Sequence, residues 1–352
     1  MAILQKSVLG IDIGTWAIKI VEVSSFAKRK KLTNYALLPA HPFYQRQFPP
    51  IQKSLIFLPP KEIALGIKLM LLDAKIKTKN AVFTIPDFLT FFVHFSLPYM
   101  SQQELEEAVK MEAKKYIPLP IKDVVLDWYP IYEEKKAVSI LLVAVPREIV
   151  YKFEEIASLA NLKTLALEPE IFALKRALVR EKDKVVGLID IGAKSTTCSV
   201  VDKEVLKVYY SLPLSGLSLT EKISRELGVN WELAEKIKIT YGISNLPSSW
   251  SSEIKEKFTE IITSSFQPIL EELKKIFQNF YLKEGKEIDK IIITGGIGLM
   301  PGVLPFFQSV FLKEVELANP LSEVLPPDFL SDKIKEIGAL FSIAIGASLK
   351  EA

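Results

Sequence analysis

The sequence predicts an α/β protein of two related lobes, with a small β-α-β-β unit inserted into the first lobe. An apolar strand ending in Asp-Ile-Gly occurs twice, in residues 9–15 and 187–193, about half a chain apart. Between the two copies, residues 87–145 interrupt the pattern of strands and helices. The 352 residues suffice for about two domains with real cores. Such self-similarity indicates a duplicated lobe, with the two Asp-Ile-Gly turns facing each other across a cleft.

The composition excludes several classes of protein. The 45 Lys and Arg residues against 42 Asp and Glu give a net charge of +3, too close to neutral for a nucleic-acid-binding protein. One cysteine, Cys198, rules out a disulfide framework, and two histidines are too few for a His/Cys zinc cluster. We therefore expect a reducing, cytoplasmic compartment. The longest uncharged run, residues 291–312, contains glycines and prolines that break a membrane helix, so no direct membrane span is expected.

The first part of the chain is predicted to form a sheet and a helix. Three β-branched runs predict strands over residues 7–13, 17–25 and 31–38. The proline-rich stretch 39–60 predicts a loop, and Pro60 begins a helix with apolar residues at helical spacing. A further strand is expected over residues 80–86.

The inserted unit has its own signals. A strand over 88–97 leads to Ser101 and Glu104, which have the spacing of a capping box, and a helix follows through residue 115. Strands over 124–132 and 137–145 are joined by a predicted Glu-Glu-Lys-Lys turn.

The remaining chain returns to the larger pattern. Helices are predicted over 147–159, 171–180, 301–311 and 337–349, strands over 185–191 and 290–294, and a mostly helical stretch over 219–284. The lobes divide accordingly. The first lobe takes residues 1–86, 146–184 and 336–352, the inserted unit 87–145, the core of the second lobe 185–220 and 286–335, and its helical subdomain 221–285.

The two Asp-Ile-Gly turns have the chemistry of a phosphate site. Glycine at Gly14 and Gly192 lets the backbone turn tightly and point consecutive N–H groups at phosphate oxygens. A carboxylate just before each turn, Asp12 or Asp190, can hold waters of Mg²⁺. Nearby side chains add a cation and hydroxyl donors; these are Lys19, Thr15, Ser195 and Thr196.

A glycine turn completes the pattern. Residues 291–298 form a buried strand that runs into Gly295, Gly296 and Gly298, where a nucleoside can lie against the backbone. A single Asp-x-Gly is usually an ordinary turn. Three such features in this order indicate a nucleotide site.

These motifs resemble those of the actin-like ATPase superfamily. Residues 12–19 and 190–196 are similar to its two phosphate motifs, and residues 294–298 to its adenosine motif. The inserted stretch LPYMSQQELEEAVKMEAKKYIPLPIKDVVLDW resembles the extra subdomain of the type IV pilus assembly PilM family and of its cell-division relative FtsA. The resemblance covers nearly the whole chain. It implies a two-lobed actin-like fold with Mg-ATP between the lobes.

The resemblance also implies residue roles. Mg²⁺ would be held by Asp12 and Asp190. Relatives orient the attacking water with a Glu or Gln between the phosphate motifs, so Glu168 or Glu170, together with Asp190, would be catalytic, and the choice stays open. The nucleotide-binding residues would be Asp12, Gly14, Thr15, Trp16, Lys19, Asp190, Gly192, Lys194, Ser195, Thr196, Gly216, Glu221, Lys222, Arg225, Gly295, Gly296 and Gly298.

The partners follow from the same resemblance. The family lies at the cytoplasmic side of the inner-membrane pilus platform and binds the N-terminal cytoplasmic tail of the membrane protein PilN in a groove beside the extra subdomain. We therefore expect PilN, other platform proteins and no nucleic acid as partners. Nucleotide binding is expected, whereas hydrolysis and self-association are left open. Trp16 stands where many relatives have a small residue.

Two alternatives remain on sequence grounds. An FtsA-like division or filament-forming protein would use the same motifs; FtsA carries an amphipathic membrane helix, whereas the predicted helix 337–349 is nearly apolar and favours core packing. A small-molecule kinase of the superfamily would need a carboxylate base beside a polar acceptor pocket.

Overall fold

The computed structural model describes residues 6–26, 29–39, 55–134, 137–213, 215–327, 334 and 336–352. Its strands are β1 (Lys6–Ile13), β2 (Ala17–Phe26), β3 (Arg29–Pro39), β4 (Asn80–Ile85), β5 (Phe91–Pro98), β6 (Val124–Glu134), β7 (Ala137–Pro146), β8 (Lys163–Pro169), β9 (Val185–Ile191), β10 (Thr196–Asp202), β11 (Val205–Leu212), β12 (Lys290–Thr294) and β13 (Glu314–Leu317). Its α-helices are α1 (Pro60–Asp73), α2 (Gln102–Ala113), α3 (Arg147–Leu159), α4 (Glu170–Leu178), α5 (Gly216–Leu227), α6 (Trp231–Tyr241), α7 (Ser252–Glu284), α8 (Val303–Val310) and α9 (Ser342–Ser348).

Two five-stranded sheets have the same layout, as expected for duplicated lobes. Their strand orders are β3-β2-β1-β4-β8 and β11-β10-β9-β12-β13. In each sheet an antiparallel hairpin, β1–β2 or β9–β10, continues into a parallel neighbour, β4 or β12. The register places Asp12 opposite Lys19 in the first hairpin and Asp190 opposite Thr197 in the second. Both Asp-Ile-Gly turns therefore lie at the hairpin ends.

The inserted unit is a three-stranded sheet of order β5-β7-β6 with α2 packed on it. Ser101 and Glu104 form the predicted capping box at the start of α2. The strand begins later than residue 88, because Asp87–Leu89 form a 3-10 turn. The predicted loop 39–60 lies mostly outside the described residues, and so does part of the predicted turn at 133–136.

Glycines divide the long helical stretch into three helices. Gly228 and Gly242 have positive φ angles of 64° and 51° and stand at the ends of α5 and α6. At Gly242 a Cβ atom would lie 2.1 Å from the carbonyl oxygen of Pro301, so no other residue fits there. The helix predicted over 337–349 contains a 3-10 turn, Gly338–Phe341, and α9 follows this turn.

Helices α4 and α9 fill the junction between the lobes. A Cβ at Gly346 would lie 1.9 Å from the Ala173 oxygen, so the two helices touch through their backbones. Apolar side chains of both lobes and of β7 meet there in one core. Among the described residues, no helix combines the length and apolar character needed to cross a bilayer.

Candidate functional site

The two hairpin turns face each other across a central cleft, which encloses a cavity of about 130 Å³. Most of the residues proposed from the sequence line this cavity. They are Asp12, Gly14, Thr15, Trp16, Lys19, Glu170, Asp190, Gly192, Lys194, Ser195, Gly295 and Gly296. The central cleft thus brings residues from both halves of the chain to one place.

Each turn is closed by its glycine. The Gly14 N–H donates to the Ala17 oxygen at 3.1 Å, and the Gly192 N–H donates to the Ser195 oxygen at 3.0 Å. A Cβ atom on either glycine would lie 3.1 Å from that same oxygen, so a side chain would crowd the turn. The glycine N–H therefore shapes the turn, and the N–H groups of the following residues are the ones that remain for an anion.

Asp12 and Lys19 form an ion pair at the floor of the cleft. Lys19 Nζ lies 2.7 Å from Asp12 Oδ2, and the Asp12 side chain is 1% exposed. Burial would lower the pKa of Lys19, but the carboxylates of Asp12, Asp190 and Glu170 outweigh it and raise that pKa. Asp12 Oδ1 is buried and has no hydrogen-bond partner among the described residues. This second oxygen is available to a cation or its water.

Asp190 is held close to the glycine turn after β12. Gly295 has a φ of +85°, and a Cβ there would lie 2.4 Å from Asp190 Oδ1. Burial raises the pKa of Asp190 to about 6; Lys19 opposes this rise and Asp12 adds to it. Its charge therefore changes close to neutral pH.

Glu170 lines the cleft and accepts a hydrogen bond from the backbone of Asp87. The Asp87 N–H donates to Glu170 Oε2 at 3.2 Å, and the Ile171 N–H donates to Asp87 Oδ1 at 3.2 Å. Burial, followed by the charges of Asp12, Asp87 and Asp190, raises the pKa of Glu170 well above its usual range. Asp87 was not singled out from the sequence, because its role depends on the approach of β4 to the start of α4.

Glu168 lies elsewhere, although it is only two residues away. Its carboxylate accepts two hydrogen bonds from Arg176, at 2.7 and 2.8 Å, and one from Lys350 at 2.9 Å. The side chain is outside the cavity lining of the central cleft. The chain changes from strand β8 to helix α4 between these residues, so Glu168 and Glu170 no longer share the face that two alternate residues of one strand would share.

An apolar cavity of about 280 Å³ adjoins the central cleft and shares Trp16, Gly192 and Gly296 with it. Gly216 lines this cavity, as do Glu235 and Lys238 of α6. Lys238 Nζ donates to Glu235 at 2.6 Å, to the Gly216 oxygen at 3.0 Å and to Thr220 at 2.7 Å. Burial lowers the pKa of Lys238, and the charge of Glu235 opposes this shift.

The Glu235–Lys238 pair was not predicted from the sequence. Its signal is an oppositely charged i,i+3 pair on a helical face that also carries the buried Ala234 and Ile237. A buried lysine on such a face requires a polar partner.

Five further residues proposed from the sequence are not in the lining of the central cavity. Glu221, Lys222 and Arg225 lie around a separate cavity of about 340 Å³ between α5 and α7. Thr196 is buried within β10, and Gly298 packs against Ile293 and Leu317.

A lateral groove of about 500 Å³ opens beside the inserted unit. Strand β6 of the inserted unit forms one wall, and β8 and α4 of the first lobe form another. The turn after β10 and the start of β11 add residues 204–206 of the second lobe. Apolar side chains dominate the walls. They include Val125, Tyr129, Ile131, Val143, Phe172, Val205 and Leu206.

The central cleft suits a magnesium phosphate better than a bare metal. Within the described part of the chain, no three His, Cys, Asp or Glu side chains converge as a metal site. Mg²⁺ keeps most of its water and is commonly held by one or two carboxylates together with phosphate oxygens. The unpartnered oxygen of Asp12, the turn N–H groups and Lys19 fit that arrangement.

Two duplicated sheets, two glycine hairpins in a cleft and a glycine turn after β12 define the actin-like ATPase fold, here with an FtsA- and PilM-type extra subdomain on the first lobe. The predicted fold class is thus confirmed. A sequence model described as "Type IV pilus assembly protein PilM" matches residues 10–352. The chain belongs to this PilM family, as the sequence motifs predicted.

Two solved structures are similar to this chain. The structure titled "PilM-PilN type IV pilus biogenesis complex" is 26% identical, covers 97% of this chain and 98% of that chain, and has a TM-score of 0.82. MreB5 of Spiroplasma citri, solved with AMPPNP, shares the fold at 12% identity with a TM-score of 0.55, covering 98% of this chain and 96% of that chain.

Curated relatives cover less of the chain. The cell division protein FtsA of Enterococcus faecalis is 26% identical over 195 residues, 50% of this chain and 43% of that protein. FtsA of Bacillus subtilis is 30% identical over 155 residues, 40% of this chain and 35% of that protein. The chain therefore spans less than half the length of these relatives.

Proposed function

We propose that this protein is a nucleotide-binding scaffold of the type IV pilus inner-membrane platform, peripheral to the membrane on its cytoplasmic side. It binds Mg-ATP in the central cleft and the N-terminal cytoplasmic tail of PilN in the lateral groove. The observation that carries the proposal is the convergence of two glycine turns, Lys19 and the unpartnered oxygen of Asp12 in one cavity.

The two turns bind the phosphates. The residues after Gly14 and Gly192 line the cavity from opposite lobes, so their backbone N–H groups can bind one phosphate chain that bridges the lobes. Lys19 supplies a positive charge, and Asp12 and Asp190 would hold the water shell of Mg²⁺. Mg²⁺, when bound, neutralises phosphate charge.

The nucleoside occupies the adjoining apolar cavity. Its walls include Leu37, Ile239, Leu299 and Met300, which suit a planar base. Glu235 adds a carboxylate to the lining of this cavity, where it can accept from a sugar hydroxyl, and this support favours α6 over Glu221, Lys222 and Arg225 of α5 as the nucleoside contact.

Slow hydrolysis would depend on Glu170. Its carboxyl lines the cavity, while Glu168 is engaged with Arg176 and Lys350. Glu170 is therefore the better placed of the two to orient an attacking water. Its raised pKa keeps the carboxyl protonated to higher pH, so a smaller fraction is ionised and able to accept a proton from water, which is consistent with slow turnover.

The lateral groove suits an extended apolar tail. Its charged groups already have partners within the protein, since Glu168 pairs with Arg176 and Lys350, and Asp127 accepts from the Tyr129 hydroxyl at 2.6 Å. Apolar side chains therefore gain most from entering it. Support for PilN as the occupant comes from the structural match with a PilM-PilN complex.

Calorimetric titration of Mg-ATP tests the cleft. We expect binding to the purified, nucleotide-free protein, a large loss of affinity in Asp12→Ala and Asp190→Ala, and no change in Asp73→Ala, an exposed carboxylate on α1. A parallel turnover assay separates binding from hydrolysis. Equal affinities in all four proteins would refute the proposed cleft.

Titration of a synthetic PilN tail peptide tests the groove. Tyr129→Ala removes a ring that lies 5.7 Å from Phe172 and should weaken peptide binding. Tyr151→Ala, on α3 outside the groove and 59% exposed, is the matched control. Unchanged peptide affinity in Tyr129→Ala would place the tail elsewhere.

A further inference from the structure

Helix α1 is apolar on two opposite faces. Its inner face belongs to the core of the first lobe, together with α3 and the first sheet. The buried side chains of this face are Ile63, Ala64, Ile67, Met70 and Leu71. On the outer face a leucine stripe is formed by Leu65, Leu69 and Leu72, which are between 57% and 76% exposed. A surface helix normally carries polar residues on that side, and no contact among the described residues accounts for the stripe.

Five lysines accompany the leucine stripe. Lys61 and Lys68 each stand four residues before one of its leucines, so they lie beside it on the helix. Three more follow in the turn to β4, and these are Lys75, Lys77 and Lys79. All five are exposed. The acidic residues of the same segment are Glu62 and Asp73, so residues 60–80 carry a net charge of +3.

The position of the stripe indicates what kind of surface covers it. None of the cavities described above is lined by residues of α1, so the stripe lies on a convex helix face and not in a groove. An extended peptide needs a concave site. A second copy of the chain fits poorly, because a symmetric contact through α1 would bring the same positive segment against itself.

An anionic lipid surface meets both requirements. Its headgroups attract lysines, and the acyl boundary beneath them takes up apolar side chains from a helix that lies in the membrane plane. We propose that α1 is a membrane-contact helix, with the leucine stripe inserted into an anionic bilayer surface and the lysines bound to its headgroups. Three leucines provide a small apolar area, so this contact is weak and reversible. The inference goes beyond the proposed function and requires neither nucleotide nor PilN.

Co-sedimentation with vesicles tests the contact in the full-length protein. The vesicles consist either of phosphatidylcholine alone or of an equal mixture of phosphatidylcholine and phosphatidylglycerol. We expect the partition coefficient to be about tenfold or more larger for the mixed vesicles at low salt. This excess should disappear at about 1 M salt, where the charges are screened.

Matched leucine variants test the apolar part of the contact. The triple variant Leu65→Gln/Leu69→Gln/Leu72→Gln keeps good helix formers on α1 and should lower the partition coefficient about tenfold or more. Leu282→Gln/Leu312→Gln changes two exposed leucines of the second lobe and should leave it unchanged. Far-UV circular dichroism and urea unfolding verify that each variant is folded.

Matched lysine variants test the electrostatic part. Lys68→Gln/Lys77→Gln should lower partition into the mixed vesicles about tenfold and leave partition into the neutral ones unchanged. Lys236→Gln/Lys257→Gln, which changes exposed lysines of α6 and α7, should behave like the unmodified protein.

A fluorescent label on the stripe provides a readout that does not depend on its removal. Cys198 is buried, so Leu69→Cys can be labelled selectively with a polarity-sensitive fluorophore. The emission of this label should shift to the blue on mixed vesicles. The same label at Leu312→Cys should show no shift.

The outcomes separate this inference from the proposed function. If the unmodified protein does not sediment with the mixed vesicles, the inference is overturned, while the central cleft and the lateral groove are unaffected. Equal partition of the leucine triple variant and the unmodified protein overturns it as well, as does a labelled Leu69→Cys without a blue shift. If light scattering shows a dimer that the triple variant converts to a monomer, a second copy of the chain covers the stripe and the lipid assignment is wrong.

Discussion

The indole rings of Trp16 and Trp231 meet across the cleft, with centroids 5.2 Å apart and planes inclined by 52°. Trp16 belongs to the first hairpin turn, and Trp231 is the first residue of α6 in the second lobe. Trp16 lines both the central cleft and the adjoining apolar cavity. The pair therefore joins the lobes at the boundary between the proposed phosphate and nucleoside sites.

Intrinsic fluorescence should report nucleotide entry through this pair. Mg-ATP that occupies both cavities changes the packing and hydration of the two rings. Saturation with Mg-ATP should therefore change the tryptophan fluorescence emission of the protein. Trp231→Phe should lose most of this change, since the reporting pair is broken. Trp128→Phe, in the inserted unit, should retain it. An equal signal in the two variants would show that the pair does not sense the ligand.

Substitution of Glu168 and Glu170 should have opposite consequences for stability. Glu168→Gln removes the negative charge of two ion pairs and one of the two acceptor oxygens from a side chain that is 4% exposed, and should lower the free energy of unfolding by about 1–3 kcal/mol. ATP turnover, if measurable, should stay unchanged. Urea unfolding together with a phosphate-release assay provides both readouts.

Glu170→Gln should leave stability equal or higher. Burial raises the pKa of Glu170, so the folded state keeps its proton to higher pH than the unfolded state. The free energy of unfolding therefore falls as pH rises above the unfolded pKa, and Gln removes this dependence. Turnover should fall about 100-fold if the carboxyl orients water. A strongly destabilised Glu170→Gln would contradict this assignment.

Two neighbouring glycines should differ sharply in tolerance. At Gly295 a Cβ would lie 2.4 Å from Asp190 Oδ1 in a backbone with φ +85°, so Gly295→Ala should cost about 1–3 kcal/mol and abolish Mg-ATP binding. At Gly296 the nearest atom would be Leu340 Cδ1 at 3.8 Å, an ordinary contact. Gly296→Ala should stay within about 0.5 kcal/mol in urea unfolding. Equal losses would show that the turn rearranges.

Sequence reasoning recovers those parts of the fold and cleft that depend on local patterns. The Asp-Ile-Gly turns and the capping box of Ser101 are short-range signals, and their residues lie where the motifs predicted. Glu168 and Glu170 could not be separated, because Glu168 is held partly by Lys350 and Glu170 by the backbone of Asp87, and both partners are distant in sequence.

Other features depend on packing between elements and leave no local signal. The side of α5 that faces the cleft is set by α6 and α7, so the sequence could not show that Glu221, Lys222 and Arg225 border a different cavity. The Glu235–Lys238 pair and the second-lobe wall of the lateral groove likewise require the tertiary structure.

The pH dependence of Mg-ATP binding should follow Asp190. Its pKa is raised to about 6, so the carboxylate is ionised and able to hold magnesium-bound water above that pH. Below it, affinity should fall by up to about tenfold per pH unit, because binding then requires loss of the proton. Calorimetric titrations across this range measure the midpoint.

Lys19→Met separates this effect from the titration of the nucleotide itself. Lys19 lowers the pKa of Asp190, so its removal should move the midpoint of the pH profile upward, whereas ATP titrates identically with both proteins. Lys77→Met, an exposed lysine remote from the cleft, should leave the midpoint in place. If Lys19→Met and the unmodified protein share one midpoint, Asp190 does not govern the profile.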